Sequence, residues 1–229
     1  MNETQVGRRS MIGGVGVALA GFAAGAATAC AQAPEAGGPG FSPDRHEQDA
    51  WMDMLAGGHR IFIDSATPAG GAEALLFANN LYNAQSEAYA GGNGDLALVV
   101  CFRHLSTPFG YNDEVWAKYG EAFNGLMQFP DPATGQAPSV NLMNSPSLTS
   151  LPNMGNTIDA LIGRGAQFAI CNAATQFISG QIAAGTGASA EDVYQELVAG
   201  AIPNSRFVPA GVMAVTRSQE YGYSLLYSG

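Results

Sequence analysis

The chain has 229 residues, of which 19 are acidic and 9 basic, giving a formal charge of −10. With Lys118 as its one lysine and its arginines scattered, it lacks the clustered cations that grip a phosphate backbone, so nucleic acid is excluded as a partner. Hydrophobic residues make up 47% and cysteines number three, which suits a domain that buries a core without a disulfide scaffold.

The first element in chain order is an export signal. Arg8 and Arg9 stand together after a polar start, and an uncharged run rich in Gly and Ala follows from Met11 to Ala29, the order of a twin-arginine signal over 1–31. Ala29-Cys30-Ala31 offers a peptidase site. Two alternatives stay open: Ala27-Thr28-Ala29-Cys30 as a degenerate lipoprotein site that would leave a lipid on Cys30, and an uncut run that anchors the chain. The expected location is therefore the periplasm, with membrane attachment only through the uncleaved signal or that lipid. Cleavage after Ala31 removes Glu3, Arg8 and Arg9 and leaves 18 acidic against 7 basic residues.

Residues 32–57 read as a flexible Pro, Gly and Ala leader to about Asp44, followed by a short helix over 46–57. The domain proper is expected over 58–229. HRIFID (59–64) is a short strand, Thr67 to Gly71 breaks it, and the spacing of Leu75, Leu76, Asn79 and Tyr82 predicts a helix to Tyr89. LALVVCF (96–102) is apolar throughout, as in a central parallel strand covered on both faces. A helix is expected over 112–124, with Trp116, Tyr119 and Phe123 as core. The stretch 129–153 is loaded with Pro, Ser, Asn and Gly and reads as a lid or a disordered loop. After a helix at 156–164 comes the strand QFAIC (167–171), then a helix capped by Asn172 or Thr175. Ser189 opens a helix to Ala199 with acids in its first turn, RFVP (206–209) is a strand, 211–220 a helix and YSLLY (223–227) the last strand.

Strands alternating with helical crossovers predict an α/β fold, a three-layer α/β/α sandwich with a five-stranded, mostly parallel sheet. Ligands of such sheets lie beyond the carboxyl ends of the strands. Those ends carry Asp64-Ser65, Arg103-His104, Cys171-Asn172 and Pro209-Ala210-Gly211. A thiol at a strand-to-helix junction meets the positive end of the helix, which favours thiolate and nucleophilic or sulfur-carrying chemistry at Cys171. The alternative for Cys171 is a small buried hydrophobe. Cys101, inside the apolar strand, is expected to be packing, and a Cys101–Cys171 bridge is not expected because it requires level positions on adjacent strands. Arg103 and His104 are candidate catalytic residues, Arg as a fork for an anion and His as a proton donor or acceptor, or else a surface pair facing solvent. Asp64, Asn112, Asn172 and Arg217 complete the candidate ligand-binding set. The histidines lack metal-ligand spacing and no Gly-rich fingerprint occurs, so no metal and no cofactor are expected.

The pieces GAQFAICNAA around Cys171, EDVYQELVA (191–199), FVPAGVMAVTRSQEYGY (207–223) and VCFRHLSTPFGYNDEVWAKY (100–119) together resemble the DsrE/DsrF-like family, in its exported branch, over about residues 58–228. The resemblance implies five parallel strands in the order 4-3-2-1-5, assembly as trimers or hexamers, and kinship with sulfur-relay proteins in which a cysteine after the third strand carries a persulfide. Cys171 falls on that position. The sequence departs from the small relay members in its export signal and in the loop 129–153, which is expected to cover the Cys171 rim. The functional expectation is a periplasmic sulfur-handling protein acting on small sulfur species through Cys171. Its rival is a non-catalytic small-ligand-binding or assembly module on the same rim.

Overall fold

The computed structural model describes residues 40, 42–89 and 91–229. The signal and its cleavage or lipidation at Cys30, with nearly all of the leader, lie outside the described residues. Among the described residues, no helix is long and apolar enough to cross a membrane.

Five strands form one sheet: β1 (His59–Ser65), β2 (Leu96–Phe102), β3 (Gln167–Cys171), β4 (Ser205–Val208) and β5 (Ser224–Ser228). The order is β4-β3-β2-β1-β5 and every pairing is parallel. The α/β/α expectation is met, and the strand order is the one the resemblance implied. β2 is central and buried at all its positions. Its alternate residues serve two cores: Leu98, Val100 and Phe102 face one, and Ala97, Val99 and Cys101 the other.

The larger core is covered by α2 (Pro68–Ala88), α3 (Asp113–Met127), α4 (Ile158–Gly163), α5 (Asn172–Thr186) and α6 (Ala190–Ala199). Aromatic rings fill it, with Phe102 stacked on Phe168 at 5.7 Å and Trp116 edge-on to Phe123 at 5.0 Å. The smaller core lies under α1 (Trp51–Met54) and α7 (Gly211–Glu220) and holds Trp51, Met52, Phe62, Cys101, Ala214 and Tyr223. The compact unit accordingly begins at Pro43, and the residues around Trp51 belong to it rather than to a leader. The helix expected over 46–57 shrinks to a 3-10 turn at Glu47–Asp49 and one turn of α1.

Other differences follow from capping and tertiary contact. Thr67 accepts the N–H of Gly70 and Pro68 occupies the first helical turn, so the segment expected to break the chain starts α2. Neither Asn172 nor Thr175 caps α5; Cys171 does, its sulfur accepting the N–H of Ala174. Asn112 caps α3 and Ser189 caps α6.

The loop 129–153 has no α-helix or strand, yet it is fastened. The side-chain amide of Asn141 donates to the carbonyls of Phe109 (2.8 Å) and Tyr111 (2.9 Å), and its backbone N–H donates to Asp113 (2.8 Å). Leu142, Met143 and Leu151 are buried in the larger core. The loop also presses on α3, where any side chain at Gly120 would collide with the Pro138 carbonyl. It is neither lid nor disordered segment but a piece of wall.

Candidate functional site

β3 ends in Cys171, whose carbonyl is held from behind: Thr175 donates to it at 2.9 Å, and the Thr175 hydroxyl shares a 2.8 Å hydrogen bond with Tyr111. The chain then turns directly into α5. The thiol meets two backbone donors, Ala174 N–H at 3.4 Å from the first turn of α5 and Gly211 N–H at 3.2 Å from the start of α7. Two helices of 15 and 10 residues thus aim their amino ends at one sulfur. Free N–H groups and the aligned peptide dipoles behind them favour negative charge on that atom.

Gly211 is what lets α7 come so close. Any side chain there would collide with the Cβ of Arg103, so the backbone of Gly211 and the stem of Arg103 pack directly on each other. Arg103 in turn is not free. Its Nε and Nη2 donate to Asp64 Oδ1 and Oδ2 at 2.7 and 2.8 Å, a bidentate pair whose carboxylate is buried. Hydrogen bonding to Asp64 raises the guanidinium pKa further, so its charge is permanent and already balanced. The strand ends beneath are tied by Ser65, which donates to Cys101 O at 2.7 Å, and by Ser106, which accepts the Arg103 N–H at 3.0 Å.

His104 follows in the left-handed region at φ 53°, a sharp turn that sends Leu105 N–H to the carbonyl of Ala66 at 3.0 Å. Its imidazole is exposed at the rim.

Beside the thiol opens a cavity of about 440 Å³, within the range of small-molecule sites. Apart from Arg103, His104 and Cys171, its walls are Leu105, Pro108, Leu126, Met127, Phe177, Ile178 and Val212 with three alanines. Cys171 itself is 6% exposed, lodged in the cavity floor. A larger depression of about 620 Å³ lies at the opposite, amino ends of β1 and β5, but it offers no thiol. Its Arg60 donates to Asp53 and to the carbonyl of Tyr221.

Of the residues named from sequence, Cys171, Arg103 and His104 come together at this cavity, with Asp64 directly behind Arg103. Asn172 opens α5 and accepts from the Tyr194 hydroxyl at 2.8 Å, which turns its amide away to α6. Asn112 is at a different place, capping α3 beside Lys118 and Glu196. Arg217 is on α7 but pairs with Glu220 at 2.7 Å and Asp49 at 3.9 Å, away from the thiol. The reading of Arg103 as an open anion fork gives way to a fixed strut, because the carboxylate of Asp64 fills the fork. The loop 129–153 contributes no wall to the cavity, contrary to the expected lid, because Asn141 and Leu142 fasten it beside α3. Sequence reasoning missed the Gly211 N–H and the apolar walls. The first follows from tertiary approach, whereas Phe177 and Ile178 stand about two helical turns after Cys171 as apolar residues legible in the sequence.

Cys101 is one strand away and fully buried. It is level with Ala169, two residues short of Cys171. A strand rise of about 6.6 Å over two residues and a spacing of about 4.8 Å set the Cα atoms about 8 Å apart, beyond the reach of a disulfide. Both cysteines are free. Burial pushes the Cys101 thiol pKa well up, with Asp64 and Cys171 adding to the rise and Arg103 opposing it.

No family model matches the chain, and no curated protein or solved structure is significantly similar to it.

Proposed function

We propose that the protein is a periplasmic sulfane-sulfur carrier in which Cys171 accepts a sulfur atom and hands it to an external thiol. The observation that carries this reading is the double N–H donation to Sγ from the openings of α5 and α7, on the floor of a cavity. A sulfur so placed is an anion site and a nucleophile at once. The resemblance at Cys171 supports the same chemistry, and the paired arginines at 8 and 9 support export.

In the loading step the Cys171 thiolate attacks a sulfane sulfur. A new S–S bond forms on Cys171 as the donor's S–S bond breaks, and the departing thiolate takes up the proton that Cys171 released. In unloading, an acceptor thiolate attacks the outer sulfur, the Cys171–sulfur bond breaks, and the Cys171 thiolate is restored. Neither step needs an oxidant. Cys101 is out of reach, so among the described residues no second thiol resolves the persulfide internally, and the sulfur leaves to a partner.

The test is the intact mass of the reduced protein before and after treatment with inorganic polysulfide and, separately, with dispersed octasulfur, beside Cys171→Ser and Cys101→Ala. A gain of whole sulfur atoms that persists in Cys101→Ala and vanishes in Cys171→Ser is the expected result. No gain in the folded wild type overturns the reading. The mainly apolar walls then favour a non-catalytic small-ligand module, whose signature is thermal stabilisation by an apolar ligand.

A further inference from the structure

We infer that the sulfur donor for Cys171 is uncharged and apolar, a ring or chain of sulfur atoms without an ionised end, rather than an anion such as thiosulfate. The inference rests on the carrier reading and adds the substrate class. Three features of the cavity support it. The walls are aliphatic and aromatic almost throughout, with Leu105, Leu126, Phe177, Ile178 and Val212 facing the space into which the thiol opens. The guanidinium on the rim is neutralised by bidentate pairing with a buried carboxylate, so it adds no net charge for an incoming anion. Three of the nearby N–H groups are already used: Ala174 and Gly211 donate to the sulfur and Ala173 donates to the Pro209 carbonyl at 3.2 Å. An anion entering this cavity loses its water and meets only the exposed His104 and the Nη1 edge of a guanidinium already neutralised by Asp64, which is costly, whereas an uncharged sulfur molecule gains from leaving water.

The chemistry balances for both members of the class. With an octasulfur ring, the Cys171 thiolate forms one S–S bond as one ring S–S bond opens. The charge moves to the far end of the attached chain, and nothing departs. With a dialkyl trisulfide, attack on the central sulfur forms a bond to Cys171 and releases an alkanethiolate, which takes up the proton lost by Cys171. The cavity holds the apolar body of either donor while the two helix ends hold the charge on the attacking sulfur.

The experiment measures the rate at which Cys171 is loaded, by intact mass, in reduced full-length protein lacking only its signal. The donors are dispersed octasulfur, dimethyl trisulfide and thiosulfate at equal concentration. Each rate is divided by that donor's rate with glutathione, which removes intrinsic reactivity. The expected result is a normalised rate about tenfold or more higher for an uncharged donor than for thiosulfate, the scale of one well-buried apolar group. The faster of the two uncharged donors distinguishes ring from chain. Phe177→Ser, at an exposed wall position that leaves the cores intact, is expected to lower the uncharged rates several-fold and leave thiosulfate nearly unchanged. Normalised thiosulfate loading equal to or faster than both uncharged donors overturns the inference and leaves the carrier reading standing. Failure of all three donors, with Cys171 still open to alkylation, removes the carrier reading itself.

Discussion

Cys101 and Cys171 occupy adjacent strands of one sheet, two residues apart in register, and meet opposite surroundings. One residue before the end of β2, Cys101 is enclosed by side chains of the smaller core and its proton is held tightly because a charge there would have no water. At the end of β3, Cys171 is the last residue of the ladder, opposite Val208 of β4, and the N–H groups its thiol meets belong to helix openings rather than to a neighbouring strand. In a parallel sheet the strand interior consumes every backbone donor, while the carboxyl rim brings the unpaired donors of several helices to one point. The same side chain is a packing unit in the first place and a candidate nucleophile in the second.

The sharpest way to break this comparison is alkylation of the folded protein. Iodoacetamide is expected to label Cys171 at least about 1,000-fold faster than Cys101, since reaching Cys101 requires an opening close to global unfolding. Comparable rates in peptide mass mapping would dissolve the distinction. Next in size is Asp64→Asn, which leaves the Arg103 guanidinium without its charged partner. A loss of about 3 kcal/mol in urea unfolding is expected, because one member of a mostly buried pair has been removed. A loss below about 0.5 kcal/mol would mean that Arg103 is a surface charge.

Asn141→Ala tests the wall against the lid. Two buried carbonyls lose their donor, so stability should fall by about 2 kcal/mol while the rate of sulfur loading on Cys171 stays unchanged. A changed loading rate at intact stability would return the loop to the site. The smallest effect concerns alkaline pH. Cys101 binds its proton more tightly folded than unfolded, so its contribution is complete below the unfolded thiol pKa of about 8.5 and is lost as pH rises from there toward the folded value. Each proton so retained makes stability fall by about 1.4 kcal/mol per pH unit within that window. Burial also raises Tyr82 and Tyr223 to about 12, which adds the same slope above about pH 10. Cys101→Ala should flatten the profile between about pH 8.5 and 10, where the tyrosines do not yet contribute, and leave the tyrosine slope above about pH 10.

The strands were readable because each carries a pattern that only one environment satisfies. LALVVCF is apolar on both faces and fits a strand covered twice; QFAIC follows the same logic beside it, whereas RFVP, at the sheet edge, is only part-buried. Helix limits were less readable where capping decided them. A cysteine as the cap of α5 has no common sequence signal, and Thr67-Pro68 reads as a breaker until its hydroxyl is seen to accept from Gly70. The loop 129–153 misled because its composition is that of an unstructured segment. Its order comes from Asn141 reaching carbonyls some thirty residues earlier in the chain.

At the site, Cys171 was legible from its place after a strand and before a helix. The state of Arg103 was not, because residue type shows a cation but not whether Asp64 on the next strand has already taken it. Asn112 and Arg217 were drawn into the candidate set by their polar chemistry and leave it by geometry, one as a cap and one as a partner of Glu220.

By itself the sequence determined the alternation of strands and helices, the two-sided burial of the central strand and the rim on which reactive groups would gather, since hydrophobic periodicity is a local property of the chain. Only the tertiary structure decided that α7 would deliver its Gly211 N–H to the sulfur, that Asp64 would neutralise Arg103 and that apolar residues from four segments would wall one cavity. Those outcomes join residues far apart in the chain, from 39 positions for Asp64 and Arg103 to 107 for Leu105 and Val212, which no local pattern encodes.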